Sequence, residues 1–595
     1  MKKIIIALAA VGVLTTSCDD LFTPAIENNL GLDYMYNNSD YADGVLGNAY
    51  TRLPNDSYSF IDVASDDAVS NDADNSYRKM ATGTWSSQND PTTQWDRCNG
   101  AIQYINLFLT HADKVNWAED PVASRLFLCR EKGEAYGLRA MYLYYLLRSH
   151  AGFSADGQLL GVPILHEPQD KDSEFNLPRN TFEECMQAIY TDIDSCLALL
   201  PTTYQDVSND ADVPAQYRAM GATAAQYTRT MGSLFFGRMS GGIAEAIRAQ
   251  AALLAASPAY NDASNTTTWA KAADYAAVVL DRIGGIAGLD PTGNTWYTNT
   301  SDIENMVSGN APKEILWRGS KLSSNNLESD NFPPSLYGKG RVNPTQNLVD
   351  AFPMQNGYPI SDPRSGYDAS NPYVGRDPRL QKYIVVDGSQ VGVYNTTIHT
   401  AADYTASDNS QKDVINNTVG QSTRTGYYLR KLLRQDVNLD PNSTTKQNHY
   451  QARIRYTEMF LDYAEAANEA WGPTGTGSHG YSAYDVVKAI RQRAGVGTDN
   501  GDAYLESIKN DKDKMRELIR NERRLELCFE GQRFWDLRRW QSNDFKATAT
   551  GCSISGGKYT TIDVENRQYE DYQNYGPIPY GEVLKFNNLV QNKNW

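Results

Sequence analysis

Between Ser124 and His150 the chain reads SRLFLCREKGEAYGLRAMYLYYLLRSH, with apolar residues returning every three or four positions, the period of an amphipathic α-helix. One face of such a helix is aliphatic and strongly aromatic, and it must be covered by another packed element. The period recurs downstream. Thr181 to Leu200 carries it behind a capping box formed by Thr181 and Glu184. Gly242 to Ser257 and Trp269 to Ile283 form an Ala-rich pair, whose small residues let two helices approach closely. Arg455 to Trp471, Tyr481 to Ala494 and Lys512 to Arg539 make a final helical block. Antiparallel pairs with short loops are the pattern of an α-hairpin array such as tetratricopeptide repeats. No clean repeat of about 34 residues runs through these segments, so the expected array is irregular and the class mainly α.

Between the helical blocks the composition changes. Residues 54–100 and 290–450 are rich in Asn, Asp, Ser, Gly and Pro, with only short strand-like runs such as Tyr383 to Val386 and Glu314 to Trp317. Stretches this long are not simple connections, and long loops on a rigid scaffold are where binding sites reside. A helical frame carrying a large, irregular, loop-rich lobe is therefore expected. With 41% hydrophobic and 21% charged residues, the chain can bury a sizeable core.

The N-terminus sets the compartment. MKKIIIALAAVGVLTTSC places Lys2 and Lys3 before an apolar run from Ile4 to Leu14, too short to cross a bilayer and suited to an export signal. Leu14-Thr15-Thr16-Ser17-Cys18 resembles a bacterial lipobox, which implies cleavage after residue 17 and lipidation of Cys18. Loss of the two lysines would take the formal charge from −17 to −19. No later segment approaches 18 consecutive apolar residues, so acyl chains are the expected membrane attachment. With 55 Lys and Arg against 72 Asp and Glu, a large nucleic-acid surface is excluded.

Catalytic motifs fail in turn. Cys98, Cys129, Cys185, Cys196, Cys528 and Cys552 show no Cys-x-x-Cys spacing, and the six histidines are scattered without ligand spacing, so neither metal nor cofactor is expected. Gly475 to Gly480 matches G-x-G-x-x-G but follows a helical pattern rather than a strand, which favours a helix-to-helix loop. Glu522, Glu526 and Glu530 recur at i,i+4 on one helical face, a spacing that paired carboxylates for general acid–base work would also show. Arg523, Arg524 and Arg533 lie close enough in sequence to pair with them, and paired carboxylates stay ionised. A structural ion-pair network is expected there, and no enzyme.

Those same residues carry a family resemblance. Ile519 to Leu527 (IRNERRLEL) and Glu530 to Trp540 (EGQRFWDLRRW) resemble the signature of the SusD/RagB outer-membrane lipoproteins of Bacteroidetes. Gly133 to Ala140 (GEAYGLRA) followed by Gly161 to Ile164 (GVPI) is similar to the family's first long helix and its exit. Asn371-Pro372-Tyr373 with Arg376 to Leu380 (RDPRL), Tyr427 to Lys431 (YYLRK), Glu458 to Ala466 (EMFLDYAEA), Pro577-Ile578-Pro579 and Gln591 to Trp595 (QNKNW) extend the match to the last residue. The resemblance implies about four tetratricopeptide-like pairs in one SusD-like domain over residues 18–595, with an N-terminal part at about 19–230 and a C-terminal part at about 240–595. It implies a surface-exposed outer-membrane lipoprotein that binds oligosaccharide or polysaccharide and delivers it to a SusC-like TonB-dependent transporter. Asp19 and Asp20 are similar to the acidic surface-export signal of such lipoproteins. Where members often have a tyrosine after the tryptophan opening an early helix, this chain has Cys98 and Asn99 after Trp95.

A sugar presents apolar C–H faces and a rim of hydroxyls, so its site needs flat aromatic rings beside planar hydrogen-bonding side chains. Asp72, Tyr77, Arg78, Trp85, Trp95 and Asn99 supply both in the first irregular stretch, and Trp296, Tyr297, Asn331, Phe332 and Tyr337 in the second. Family members bind ligand through loops from roughly these regions. Trp317, Trp471 and Trp535 are expected in the core. Two alternatives remain at this stage. A peptide ligand, as for RagB-like relatives, would here be basic or neutral. A secreted glycoside hydrolase would need two carboxyls facing each other at roughly 5–10 Å.

Overall fold

The computed structural model describes residues 31–54, 57–417 and 421–595. The export segment, Cys18, Asp19 and Asp20 lie outside the described residues.

Eight helices make the frame: α1 (Ser39–Tyr50), α2 (Trp95–His111), α3 (Pro121–His150), α4 (Phe182–Leu199), α5 (Gly241–Ala256), α6 (Trp269–Asp281), α7 (Tyr456–Trp471) and α8 (Ala483–Ala494). Each packs on the next, which gives four hairpins in a row, the number the family resemblance implies, with α1 and α2 added to the helices that periodicity marked. The starts are set by side-chain caps that satisfy orphan N–H groups. Asp120 accepts from Val122 and Ala123 at the head of α3, Thr181 and Glu184 close their box on α4, and Ser482 with Asp485 does the same on α8. Gly137 lets α3 press on its neighbours, because a Cβ there would sit 2.5 Å from Met239 Cγ and 2.9 Å from Cys196 Sγ. The Gly475–Gly480 run lies in the α7–α8 connection.

The block expected from Lys512 to Arg539 is two helices, α9 (Lys512–Leu527) and α10 (Arg533–Trp540). The break has a backbone cause: Phe529 (φ 63°) and Gly531 (φ 80°) take left-handed conformations that no α-helix contains. α9 packs against α7.

The irregular lobe is tied down by short antiparallel ladders. Strands β1 (Ala68–Ser70), β2 (Ile315–Arg318), β3 (Val342–Pro344), β4 (Ala452–Arg455), β5 (Ala549–Ser555) and β6 (Lys558–Glu565) pair as β1 with β3, β2 with β4, and β5 with β6. Among the described residues every sheet has two strands. One hydrophobic core runs through the helical frame from Met35 to Leu589. A second fills the lobe around Trp296, Phe352, Tyr383 and Tyr428 and reaches α9 through Leu525. A third, small and aromatic, holds Trp85, Phe534, Trp535 and Trp540.

Candidate functional site

The structure separates the residues that the sequence grouped. Trp85 is buried against Phe534, Tyr569 and Trp595, at ring-centroid distances of 5.8, 6.4 and 5.1 Å, and its indole N–H donates to Asp90 Oδ1 at 3.0 Å. Trp296 packs on Tyr297 (5.8 Å) and Tyr450 (5.2 Å), and Tyr297 donates its hydroxyl to the Lys382 carbonyl at 3.0 Å. Phe332 is buried, and Asn331 spends its amide on the backbone, donating to Leu327 O and accepting from Val342 N. The expectation of open aromatic platforms is therefore corrected at Trp85, Trp296, Tyr297 and Phe332: an unanchored loop of this length needs its own apolar filling, and these rings provide it.

The other candidates reach the surface at four places. Trp95 is buried except for an edge that, with Asn99, Phe175 and Phe586, lines a cleft of about 330 Å³. Tyr337 is 48% exposed in a left-handed turn. Asp72 precedes the one-turn helix Ser76–Lys79 and Arg78 lies on it: Asp72 lies 3.7 Å from Arg341 and Arg78 Nε donates to Glu565 at 3.1 Å. Tyr77, from the same turn, lines a different and larger feature.

That feature is a polar cavity of about 360 Å³ where loop, frame and signature meet. Residues 57–61 and 91–97 form one wall, and Tyr145 and Arg148 descend from the C-terminal end of α3. Gln250 comes from α5, Gln451 to Arg453 from the start of β4, and Phe529 to Trp535 from the α9–α10 break. The lining thus combines rings (Tyr58, Tyr77 and the edge of Trp535) with planar polar groups (Gln94, Arg97, Arg148, Gln250, Gln451, Arg453 and Gln532). Arg148 is held flat, its guanidinium 4.2 Å from the Trp535 ring centroid and 4.4 Å from that of Tyr145. Gln250 and Gln532 both donate to Glu458 Oε1 beneath the floor, at 2.7 and 3.3 Å. Burial, then the neighbouring Asp462, pushes the Glu458 carboxyl up to about 8. Two buried polar atoms of the lining, Gln94 Oε1 and Arg148 Nε, have no hydrogen-bond partner in the structure. Unanswered buried polar groups are costly unless something else answers them.

The carboxylates of the signature are structural. Glu522 accepts from Arg379 and Arg491, both at 2.9 Å, and Glu526 from Arg379 at 3.1 Å and Arg493 at 3.0 Å. Glu530 is bound by Lys431 and Arg455, both at 2.7 Å. Burial alone would raise these acids, but the surrounding cations win: Glu526 is held down at about 2 and Glu530 is lowered as well. The network matches the expectation, whereas its partners do not. Arg523 serves Asp462 and Asp536, Arg524 serves Asp66 and Asp67, and Arg533 serves Asp66 and Asp544. Arg523 and Arg524 share α9 with Glu522 and Glu526 but pair away from them, and the glutamates are met by cations brought from elsewhere in the chain. Among the described residues no cluster of His, Cys, Asp and Glu is arranged to hold a metal ion.

Sequence reasoning missed Gln94, Arg97, Arg148, Gln250, Gln451 and Gln532. They come from five separate segments, and no local spacing could have joined them.

Comparison with known proteins agrees with this architecture. Residues 304–595 match the model of the SusD family, and residues 34–226 match a second model described as starch-binding associating with outer membrane. The chain belongs to the SusD/RagB family. A SusD-like protein of Formosa agariphila is 38% identical over 87 residues, a match covering 14% of this chain and 16% of that relative's length. A SusD-like protein of Bacteroides fragilis superposes with a TM-score of 0.69 at 22% identity, over 95% of this chain and 98% of that one. A SusD-like carbohydrate-binding protein of the same organism gives 0.65 at 20% identity, over 93% and 99%. At these identities the structural likeness shows a shared SusD fold. No helix among the described residues is long and apolar enough to cross a membrane, so the family's association with the outer membrane does not rest on a described helix.

Proposed function

We propose that this protein is a non-catalytic, glycan-binding lipoprotein of the outer-membrane surface, anchored through Cys18, which delivers oligosaccharide to a SusC-like TonB-dependent transporter. The observation that carries the reading is the polar cavity. It sets phenol and indole rings beside seven planar amide and guanidinium side chains. Rings stack on sugar C–H faces while amides and guanidiniums bridge vicinal hydroxyls. The family's description as starch-binding and the carbohydrate-binding neighbour point the same way. The signature acids support binding without cleavage, because Glu526 and Glu530 are locked ionised by arginine and lysine and are unavailable as proton donors.

Asp72, Arg78 and Tyr337 remain proposed outer contacts for a longer chain, and Trp95 with Asn99 a proposed secondary cleft. Isothermal titration against a polysaccharide panel tests the assignment. Tyr77→Ala and Gln94→Ala should each weaken glycan binding about 5- to 30-fold, the range of one lost stacking or hydrogen-bond contact, with the fold intact. Unchanged affinity in the double variant would remove the cavity from the site.

A further inference from the structure

The cavity is cationic in an acidic protein. Among the described residues its lining contains Arg97, Arg148 and Arg453, and one carboxylate, Glu530, which is already bound by Lys431 and Arg455. Several buried guanidiniums of the frame are met by acids, Arg139 by Asp192, Arg491 by Asp502 and Glu522, Arg539 by Glu465 and Asp536, while Arg179 and Arg538 rest on backbone and amide oxygens. Arg97 and Arg148 have neither kind of full answer. Arg97 is exposed and spends one nitrogen on the Leu53 carbonyl at 3.0 Å, with no ion pair among the described residues. Arg148 likewise has none; its plane is clamped by Trp535 and Tyr145, and its Nε is without a hydrogen-bond partner. A stacked guanidinium keeps its fork of donors pointing in a fixed direction, the geometry suited to two oxygens of a carboxylate or a sulfate. Around a chain of formal charge −17, a local cationic pocket also focuses the field toward anions that the rest of the surface repels.

We propose that the ligand of this cavity is an anionic oligosaccharide, bearing uronate carboxylates or sulfate esters, whose acid group is received by Arg148 with Arg97 beside it. The proposal rests on the glycan-binding reading above and narrows it to a substrate class. Neutral sugars would offer these guanidiniums hydroxyl acceptors but no counter-charge.

Two sets of oligosaccharides of equal length test it by isothermal titration on the full mature chain: neutral (maltohexaose, laminarihexaose, xylohexaose) and acidic. The acidic set has a carboxylate arm (hexamers of galacturonate, guluronate and mannuronate) and a sulfate arm (carrageenan hexasaccharides). The expected result is binding in one acidic arm, which identifies the acid. Arg148→Gln should weaken that binding roughly 10- to 100-fold, as expected for a lost charge-assisted hydrogen bond. Arg148→Lys should recover part of it, and raising salt from 20 to 200 mM should weaken the wild type but not the variant. Because Arg148 also packs on Trp535, exposed Arg97→Gln is measured in parallel, and circular dichroism melting confirms that each variant is folded. Tight binding of a neutral hexamer that is indifferent to both substitutions would overturn this proposal and leave glycan binding standing. Acidic binding that survives the double variant would remove the two arginines from it. Absence of binding to every member of both sets would overturn the glycan reading itself.

Discussion

Glu526→Gln tests the most consequential energetic feature of the frame. Glu526 is fully buried, accepts from Arg379 at 3.1 Å and Arg493 at 3.0 Å, and lies 3.8 Å from Arg455. Its carboxyl is held at about 2 against an ordinary glutamate value of 4.5. That difference corresponds to about 3 kcal/mol of stability at neutral pH. The folded-state value is depressed, so the contribution is complete above pH 4.5 and is lost as pH falls toward 2. Glutamine preserves the shape and removes the counter-charge, which leaves buried guanidiniums under-compensated, a change that costs about 3–5 kcal/mol. Urea unfolding followed by tryptophan fluorescence should place the variant about 3–5 kcal/mol below the wild type at pH 7. The gap should narrow by about 2 kcal/mol at pH 3, where the wild-type carboxylate has begun to protonate. A gap under about 1 kcal/mol, or one that ignores pH, would refute the network reading. A stable variant that had lost a glycan-cleaving activity would instead revive the hydrolase alternative.

The remaining expectations are quicker to check. Trp85→Ala should destabilise by about 3–5 kcal/mol through the cavity left among Phe534, Tyr569 and Trp595, while glycan affinity per folded molecule stays the same; lost affinity at full stability would make Trp85 a binding platform after all. Gly137→Leu should cost about 1–3 kcal/mol or more, because Met239 and Cys196 occupy the added volume, and a neutral melting temperature would contradict the packing of α3 on α4. Burial pushes the His150 imidazole down to about 3, so its neutral form contributes stability that is present above pH 6.5 and is lost as pH falls toward 3. His150→Gln should therefore flatten the stability profile by about 2 kcal/mol between pH 7 and pH 5, and an unaltered profile would disprove it. The six cysteines from Cys98 to Cys552 are unpaired, and burial pushes the Cys185 and Cys528 thiols up to about 12. Ellman's reagent should find them slow in the native protein and titrate six thiols in denaturant; fewer would reveal a disulfide.

Much of the frame was legible because helix formation is local. The Thr181 and Glu184 box, the apolar spacing of α3 and the small residues of α5 and α6 each act within a few positions, and they survived into the structure. The one misread helix boundary, at Phe529 to Gly531, depends on two left-handed residues, of which only the glycine advertises itself. The aromatic residues of the irregular stretches were ambiguous for a physical reason: a tryptophan that fills a loop and one that receives a sugar have the same sequence surroundings.

What the sequence determined by itself was therefore most of the frame's helices, the ion-rich signature and the family those residues mark. Tertiary structure decided everything that depends on which distant segments meet. It gave Glu522 and Glu526 their arginines from positions 379, 491 and 493 rather than from their own helix. It buried Trp85 and Trp296, and it gathered Gln94, Arg148, Gln250 and Gln532 around one cavity. Hydrogen-bond and packing preferences along a helix are set by neighbours three and four residues away, whereas a binding cavity is set by contacts across hundreds, and its chemistry exists only once the chain has closed around it.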